Sequence, residues 1–129
     1  MSKYYLIIPV GMQPRPTKDE EAVAKAMAGY LRSDIRFVER VSSSTPDIYI
    51  IKSQQRWEIK HIRGNSKRTI ANNLRSAKRQ CENIIISLSR TDMTIKQAEG
   101  RIKAYLNQGA TSIKRIIIVS KQQKILVIK

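Results

Sequence analysis

Two runs rich in isoleucine and aromatic residues, Ile48-Tyr49-Ile50-Ile51 and Arg56 through Ile62, flank the polar stretch Lys52-Ser53-Gln54-Gln55. β-Branched and aromatic residues favour strands, and a short polar stretch between two such runs predicts a β-hairpin. With Lys52–Gln55 as the loop, Ile51 faces Arg56, Tyr49 faces Glu58 and Asp47 faces Lys60. Side chains alternate along a strand, so Asp47, Glu58 and Lys60 then share one face and Ile48, Ile50, Trp57, Ile59 and His61 share the other. A slip of one residue would carry Asp47 across the sheet. Two acids and a lysine on one side of an otherwise apolar hairpin are either solvent-exposed or functional.

The charge of the chain points the same way. Its 129 residues suffice for one domain with a real core. They hold 25 Lys and Arg against 10 Asp and Glu, a formal net charge of +15. Residues 1–47 carry 7 basic and 6 acidic side chains, whereas residues 48–129 carry 18 and 4. A basic surface of that size favours a polyanion, nucleic acid first and an acidic membrane or protein partner second. The longest apolar runs are strand-sized, so neither a membrane span nor a signal peptide is expected. The single cysteine, Cys81, excludes an internal disulfide and a cysteine-based zinc cluster. The cytoplasm is the expected site of action.

Lys3 to Val10 reads as a strand that Pro9 confines to an edge, and Gly11 to Pro16 reads as a linker, so residues 1–16 precede a single domain at 17–129. Thr17-Lys18-Asp19-Glu20 is a capping box opening a helix, with Val23, Met27, Tyr30 and Leu31 as its buried stripe. Ile35 to Val41 is a short strand, and Ser42 to Thr45 a polar loop into the hairpin. Beyond the hairpin, Asn65 or Ser66 caps a helix over roughly 67–82, whose inner stripe is Ile70, Leu74, Ala77 and Cys81. Arg68, Arg75 and Arg79 fall on its opposite face, with Lys67 and Lys78 on one flank and Thr69, Asn73, Ser76 and Gln80 on the other. Ile84 to Leu88 is a continuous apolar strand suited to the middle of a sheet. Thr94 caps a further helix, with Ile95, Ala98, Ile102 and Leu106 inward and Gly109 as its stop. Ile113 to Ser120 and Lys124 to Ile128 form a last hairpin. The expected fold is α/β (α+β), a single mixed sheet flanked by helices.

Pro46-Asp47 followed eleven residues later by Glu58-Ile59-Lys60 resembles the signature of the PD-(D/E)xK nucleases. The helix, three strands, helix and strand from Thr17 to Leu88, reached from periodicity and caps alone, match that superfamily's αβββαβ core, here followed by a helix and a hairpin. The resemblance implies that Asp47 and Glu58 bind Mg²⁺ or another divalent cation, and that Lys60 orients or activates water and offsets charge at the phosphate. Paired carboxylates supply the hard oxygen ligands that Mg²⁺ takes.

The stretch from Asp19 to Lys129 also resembles the C-terminal nuclease domains of bacterial contact-dependent growth inhibition proteins. The segments that carry this likeness are Asp19 to Ala24, Thr45-Pro46-Asp47-Ile48, Trp57-Glu58-Ile59-Lys60 and Ala77-Lys78-Arg79-Gln80. Such domains are delivered into neighbouring cells, many cleave transfer RNA, and each is neutralised by its own immunity protein. The likeness therefore implies a secreted or delivered toxin with RNA as its substrate, DNA being the other choice, and an acidic immunity protein as a partner. A nuclease domain carried by a mobile element would show the same pattern.

Among single residues, Glu20 is both the capping-box acid and a candidate extra catalytic or metal-site residue. His61, on the apolar face, reads as a core histidine with one satisfied nitrogen. After a register slip it becomes the general base, with Lys60, of a metal-independent ribonuclease. Gln80 and Asn73 either point amides at the scissile phosphate or simply face solvent on the helix. Arg63, Lys67, Arg68, Arg75, Lys78 and Arg79 are candidate phosphate contacts, since eight basic residues stand against one acid from Arg56 to Arg79. Cys81 and Trp57 read as core, and Tyr49 is open to stacking on a base. A non-catalytic nucleic-acid-binding module is the remaining alternative.

Overall fold

The computed structural model describes residues 3–42, 45–109 and 112–129; the middle of the predicted loop at Ser42 to Thr45 lies outside them. Among the described residues, seven strands form one mixed sheet in the order β1-β2-β3-β4-β5-β6-β7, with three helices. The strands are β1 (Leu6–Ile7), β2 (Ile35–Phe37), β3 (Ile48–Ile50), β4 (Gln55–His61), β5 (Asn83–Ser87), β6 (Arg115–Val119) and β7 (Ile125–Val127). The helices are α1 (Lys18–Leu31), α2 (Thr69–Ala77) and α3 (Ile95–Leu106). β3 and β4 form the expected antiparallel hairpin, β5 and β6 add in parallel to β4, and β7 closes antiparallel on β6. Edge strand β1 pairs in parallel with β2. The α1-β2-β3-β4-α2-β5 order is the αβββαβ layout expected from periodicity.

The sheet has a core on each face. α1 lays Val23, Ala24, Met27 and Ala28 against Ile35, Phe37, Ile48, Ile50, Trp57, Ile59 and Ile85. On the other face α2 and α3 lay Ile70, Leu74, Ala77, Ala98, Ile102 and Tyr105 against Ile84, Ile86, Ile116 and Ile118. β5 is buried on both sides, which is why its sequence is a continuous apolar run rather than an alternation. The predicted capping box forms at Thr17 with Glu20, and the predicted cap Thr94 forms another with Gln97. Gly109, past the end of α3, has φ +94°, a conformation that a side chain would oppose.

Four expectations are corrected. The hairpin register is shifted by two: Ile50 pairs with Gln55, Tyr49 with Arg56 and Ile48 with Trp57. Gln54 takes φ 59° and donates its N–H to the Ile50 carbonyl, closing the loop one residue early. The displaced Ile51 and Lys52 N–H groups donate instead to Asp34 O and Ser33 Oγ. A shift of two preserves the faces, because the side-chain period is two. Second, α2 stops at Ala77 and carries no side-chain cap; Ser66 Oγ meets Thr69 Oγ1, and Asn65 Oδ1 accepts from Arg101. The chain has to turn over residues 78–82 to enter β5 between β4 and β6. Third, Cys81 therefore leaves the core stripe, is partly exposed, and donates its thiol to Arg56 O. Fourth, Tyr30 and Ile95 face outward, at 49% and 36% exposure, while Tyr105 fills the α3 interface instead.

Candidate active site

β4 places Glu58 and Lys60 on the side of the sheet covered by α2, in register with Ile84 and Ile86 of β5. Glu58 is 2% exposed, a carboxyl group built into a core strand. Asp47 stands just before the start of β3, where the chain bends into the ladder. Its backbone N–H donates to Trp57 O, and its Oδ2 accepts from the Ile59 N–H at 2.8 Å. The side chain thus takes the place of a ladder carbonyl toward β4. Asp47 Oδ1 lies 3.3 Å from Arg40 Nη2.

This arrangement sets the Asp47 carboxylate close enough to Glu58 for its charge to act on the buried carboxyl. Glu58 Oε2 lies 3.3 Å from Lys60 Nζ, and Lys60 Nζ lies 3.5 Å from Ser76 Oγ on α2. Glu58 Oε1 is buried and has no donor facing it. Two ionised carboxylates have no proton to share, so the pair needs either a proton or a cation between them. Burial first, and the Asp47 charge second, push the Glu58 carboxyl up to about 8, against the opposing pull of Lys60. Among the described residues no third His, Cys, Asp or Glu completes a metal-ligating cluster.

A cavity of about 230 Å³ opens beside Asp47, lined also by Glu20, Arg15, Arg40 and Phe37. The cavity brings Glu20 to the same site as Asp47, although Glu20 Oε1 is engaged by the Thr17 N–H of the capping box. His61 falls on the α1 side of β4, where the charges of Asp19, Glu20 and Arg90 act on it. Both of its ring nitrogens are buried without a partner, not one satisfied as expected. Burial holds its pKa below the usual histidine range. That placement separates His61 from Lys60 by the thickness of the sheet. Gln80 lies in the turn after α2 and Asn73 bonds back to Thr69 O within it.

Of the candidate phosphate contacts, Arg63, Lys67, Arg68, Arg75 and Arg79 are exposed. Lys78 is half-buried, its Nζ 5.7 Å from the centroid of the Tyr105 ring. Among the described residues none of these six is ion-paired to a carboxylate. Arg40, Ser76 and the Ile59 N–H were not singled out from the sequence. Ser76 stands on the uncharged flank of α2, which is the available signal for it; Arg40 and the Ile59 N–H meet Asp47 only through the bend before β3.

The fold and the paired carboxylates define an α+β domain with a mixed sheet and a buried acid–lysine centre. Its sequence matches the profile of the contact-dependent growth inhibition CdiA C-terminal domain over residues 44–125, and the chain belongs to that family. Among solved structures it resembles a chain of the CdiA-CT/CdiI toxin and immunity complex from Burkholderia pseudomallei, with a TM-score of 0.66 at 20% identity. That likeness covers 87% of this chain and 82% of the other, and it establishes a common fold. Comparison with the curated proteins returned no match. No helix among the described residues is long and apolar enough to cross a membrane.

Proposed function

We propose that this toxin domain is a metal-dependent nuclease that hydrolyses phosphodiester bonds, with RNA, and transfer RNA in particular, as its substrate in the cytoplasm of a target cell. The observation that carries the reading is the buried Glu58 carboxyl, which faces a second acid and has one oxygen without a donor. An apolar residue at that point of β4 would pack against β5 with no electrostatic cost, so stability alone does not account for an acid there.

The donor set suits Mg²⁺ or a similar divalent cation: two hard carboxylates, with remaining positions left to water and phosphate oxygens. Asp47 and Glu58 would hold it, its charge replacing the proton the pair otherwise needs. When bound, such an ion stabilises negative charge at the phosphate and lowers the pKa of water. Lys60, held between Glu58 and Ser76, presents an ammonium that orients the attacking water and offsets charge at the phosphate. The Ile59 N–H and Arg40 fix the Asp47 carboxylate. The exposed arginines on and before α2 track the phosphate backbone. The RNA preference rests on the resemblance to growth-inhibition nucleases. An acidic immunity protein would complement the +15 charge and parallels the toxin and immunity pairing in the similar structure.

Incubation with total RNA and with plasmid DNA, in Mg²⁺ or in EDTA, tests this. Cleavage in Mg²⁺ that stops in EDTA and in Glu58→Gln is expected. Cleavage that survives EDTA removes the metal, and binding without cleavage leaves a nucleic-acid-binding module.

A further inference from the structure

The face of the sheet that carries Glu58 is covered by α2 and α3 only over its second half. No residue of β1, β2 or β3 belongs to the core beneath those helices. On the open part, the register lines up one row across four strands: Ile7 opposite Arg36, Arg36 opposite Tyr49, and Tyr49 opposite Arg56. Arg36 and Arg56 are exposed, Ile7 is 41% exposed and Tyr49 is half-buried. The Arg36 guanidinium lies over the Tyr49 ring, Cζ 5.2 Å from its centroid. A lone surface cation–π pair is ordinary. This one is flanked across the next strand by a second arginine, and Arg56 stands two residues before Glu58 on the same face of β4. Two residues along a strand span roughly 7 Å, a distance that one nucleotide of an extended single strand bridges.

The backbone beneath the row is anchored. The Arg56 carbonyl accepts from both the Asn83 side-chain amide, at 2.9 Å, and the Cys81 thiol, at 3.0 Å, tying the start of β4 to the start of β5. The row thus sits on an anchored backbone and sets a guanidinium over an aromatic ring, with a further arginine opposite that ring's residue on the next strand. Bases stack on such surfaces without regard to sequence, and arginines hold the neighbouring phosphates. Paired bases in a duplex keep their faces covered and cannot use it.

We infer that the Arg36–Tyr49–Arg56 row is a subsite for one unstacked nucleobase and its adjoining phosphates, next to the Asp47–Glu58 centre. The inference rests on the nuclease reading for its orientation toward the scissile bond, while the binding itself is independent of cleavage. RNA and DNA share this chemistry, so both sources are compared.

Fluorescence anisotropy in EDTA measures binding of labelled single-stranded RNA, single-stranded DNA of the same sequence, and the matching duplex, all in a Glu58→Gln background that cannot cut. Tyr49→Ala is expected to weaken single-strand binding roughly five- to a hundredfold while duplex binding stays within twofold. Tyr49→Phe, which keeps the ring, retains most of the affinity. Arg36→Ala and Arg56→Ala should each lower the salt slope by about 0.7 for single strands. Photocrosslinking of a 5-iodouracil oligonucleotide to the chain with Tyr49 intact gives a readout that needs no folded Tyr49→Ala variant, and a crosslink at Tyr49 is expected. Single-strand affinity unchanged in Tyr49→Ala, or crosslinks only elsewhere, overturns the subsite. If the parent cuts nucleic acid and Tyr49→Ala binds normally, the subsite fails and the nuclease stands. If binding depends on Tyr49 and the parent never cuts in Mg²⁺, the subsite stands and the nuclease fails.

Discussion

Replacing Glu58 by glutamine keeps the shape of the side chain and removes its charge, and its effect on stability should depend on pH in a calculable way. In the folded chain the carboxyl is raised from 4.5 to about 8, chiefly by burial and then by Asp47. Between those values the folded state holds a proton that the unfolded state has released, so stability falls as pH rises through the window. A rise to about 8 corresponds to a parent that loses at most a few kcal/mol, on the order of 3, between pH 5 and pH 8. The bound is an upper one because the Lys60 ammonium can follow the ionised acid. Glutamine cannot ionise, and its amide donates to the Asp47 carboxylate as the protonated acid would. Glu58→Gln should therefore match the parent at pH 5 and exceed it by about 2–3 kcal/mol at pH 8. Urea unfolding in EDTA, followed by the fluorescence of Trp57 at each pH, measures both curves. Titrating groups distant from the pair cancel in the difference. Parallel curves across pH 5 to 8 would refute the placement of a proton on this pair.

Millimolar Mg²⁺ should raise the stability of the parent more at pH 8 than at pH 5, because the ion competes with that proton; the gain should vanish in Glu58→Gln, as read by melting temperature. Asp47→Ala should abolish cleavage at neutral pH, and it should also cost about 1 kcal/mol of stability, because the buried Ile59 N–H loses its acceptor. Calorimetry that shows Asp47→Ala as more stable than the parent would mean that carboxylate repulsion outweighs that bond. His61→Leu should leave stability at pH 7.5 equal or higher, since two unpartnered buried nitrogens disappear. The histidine pKa is depressed, so its stabilising share is present above 6.5 and lost as pH falls; the variant should lose less stability from pH 7 to pH 5 than the parent. Changing Arg75 and Arg79 together to Ala should flatten the salt dependence of nucleic-acid binding by about one to two units, and an unchanged slope would place the backbone track elsewhere.

What local rules govern was legible in the sequence. The capping box at Thr17, the cap at Thr94, the doubly buried β5 and the order of elements follow from propensity and periodicity, and they lead to the same fold. The faces of Glu58 and Lys60 were legible for the same reason. What failed depends on partners distant in sequence. The hairpin register is settled by Ser33 and Asp34, which hold the loop after β3. The truncation of α2 is settled by the need to enter β5 beside Arg56. Asp47 reads as a strand residue, yet its side chain supplies the bond that the bent backbone gives up. The stretch of α1 beyond Ala28 projects Tyr30 outward although its period fits the buried stripe.

The parallel pairing of β4 with β5 bears on the order in which the chain assembles. The hairpin joins residues only a few positions apart, Ile50 with Gln55 and Ile48 with Trp57, and hairpins of this kind close in roughly 1–10 μs. Glu58 meets Ile84 only after a loop that includes α2 has closed, a slower step. In the early hairpin Glu58 is still in water and ionised, at odds with Asp47. The proton enters when β5 and α2 arrive to bury it. Refolding at pH 7 should thus take up about one proton late, together with the quenching or shift of Trp57 emission, and should slow as the pH rises toward 8. A pH-indicator trace that finishes before Trp57 is buried would reverse that order.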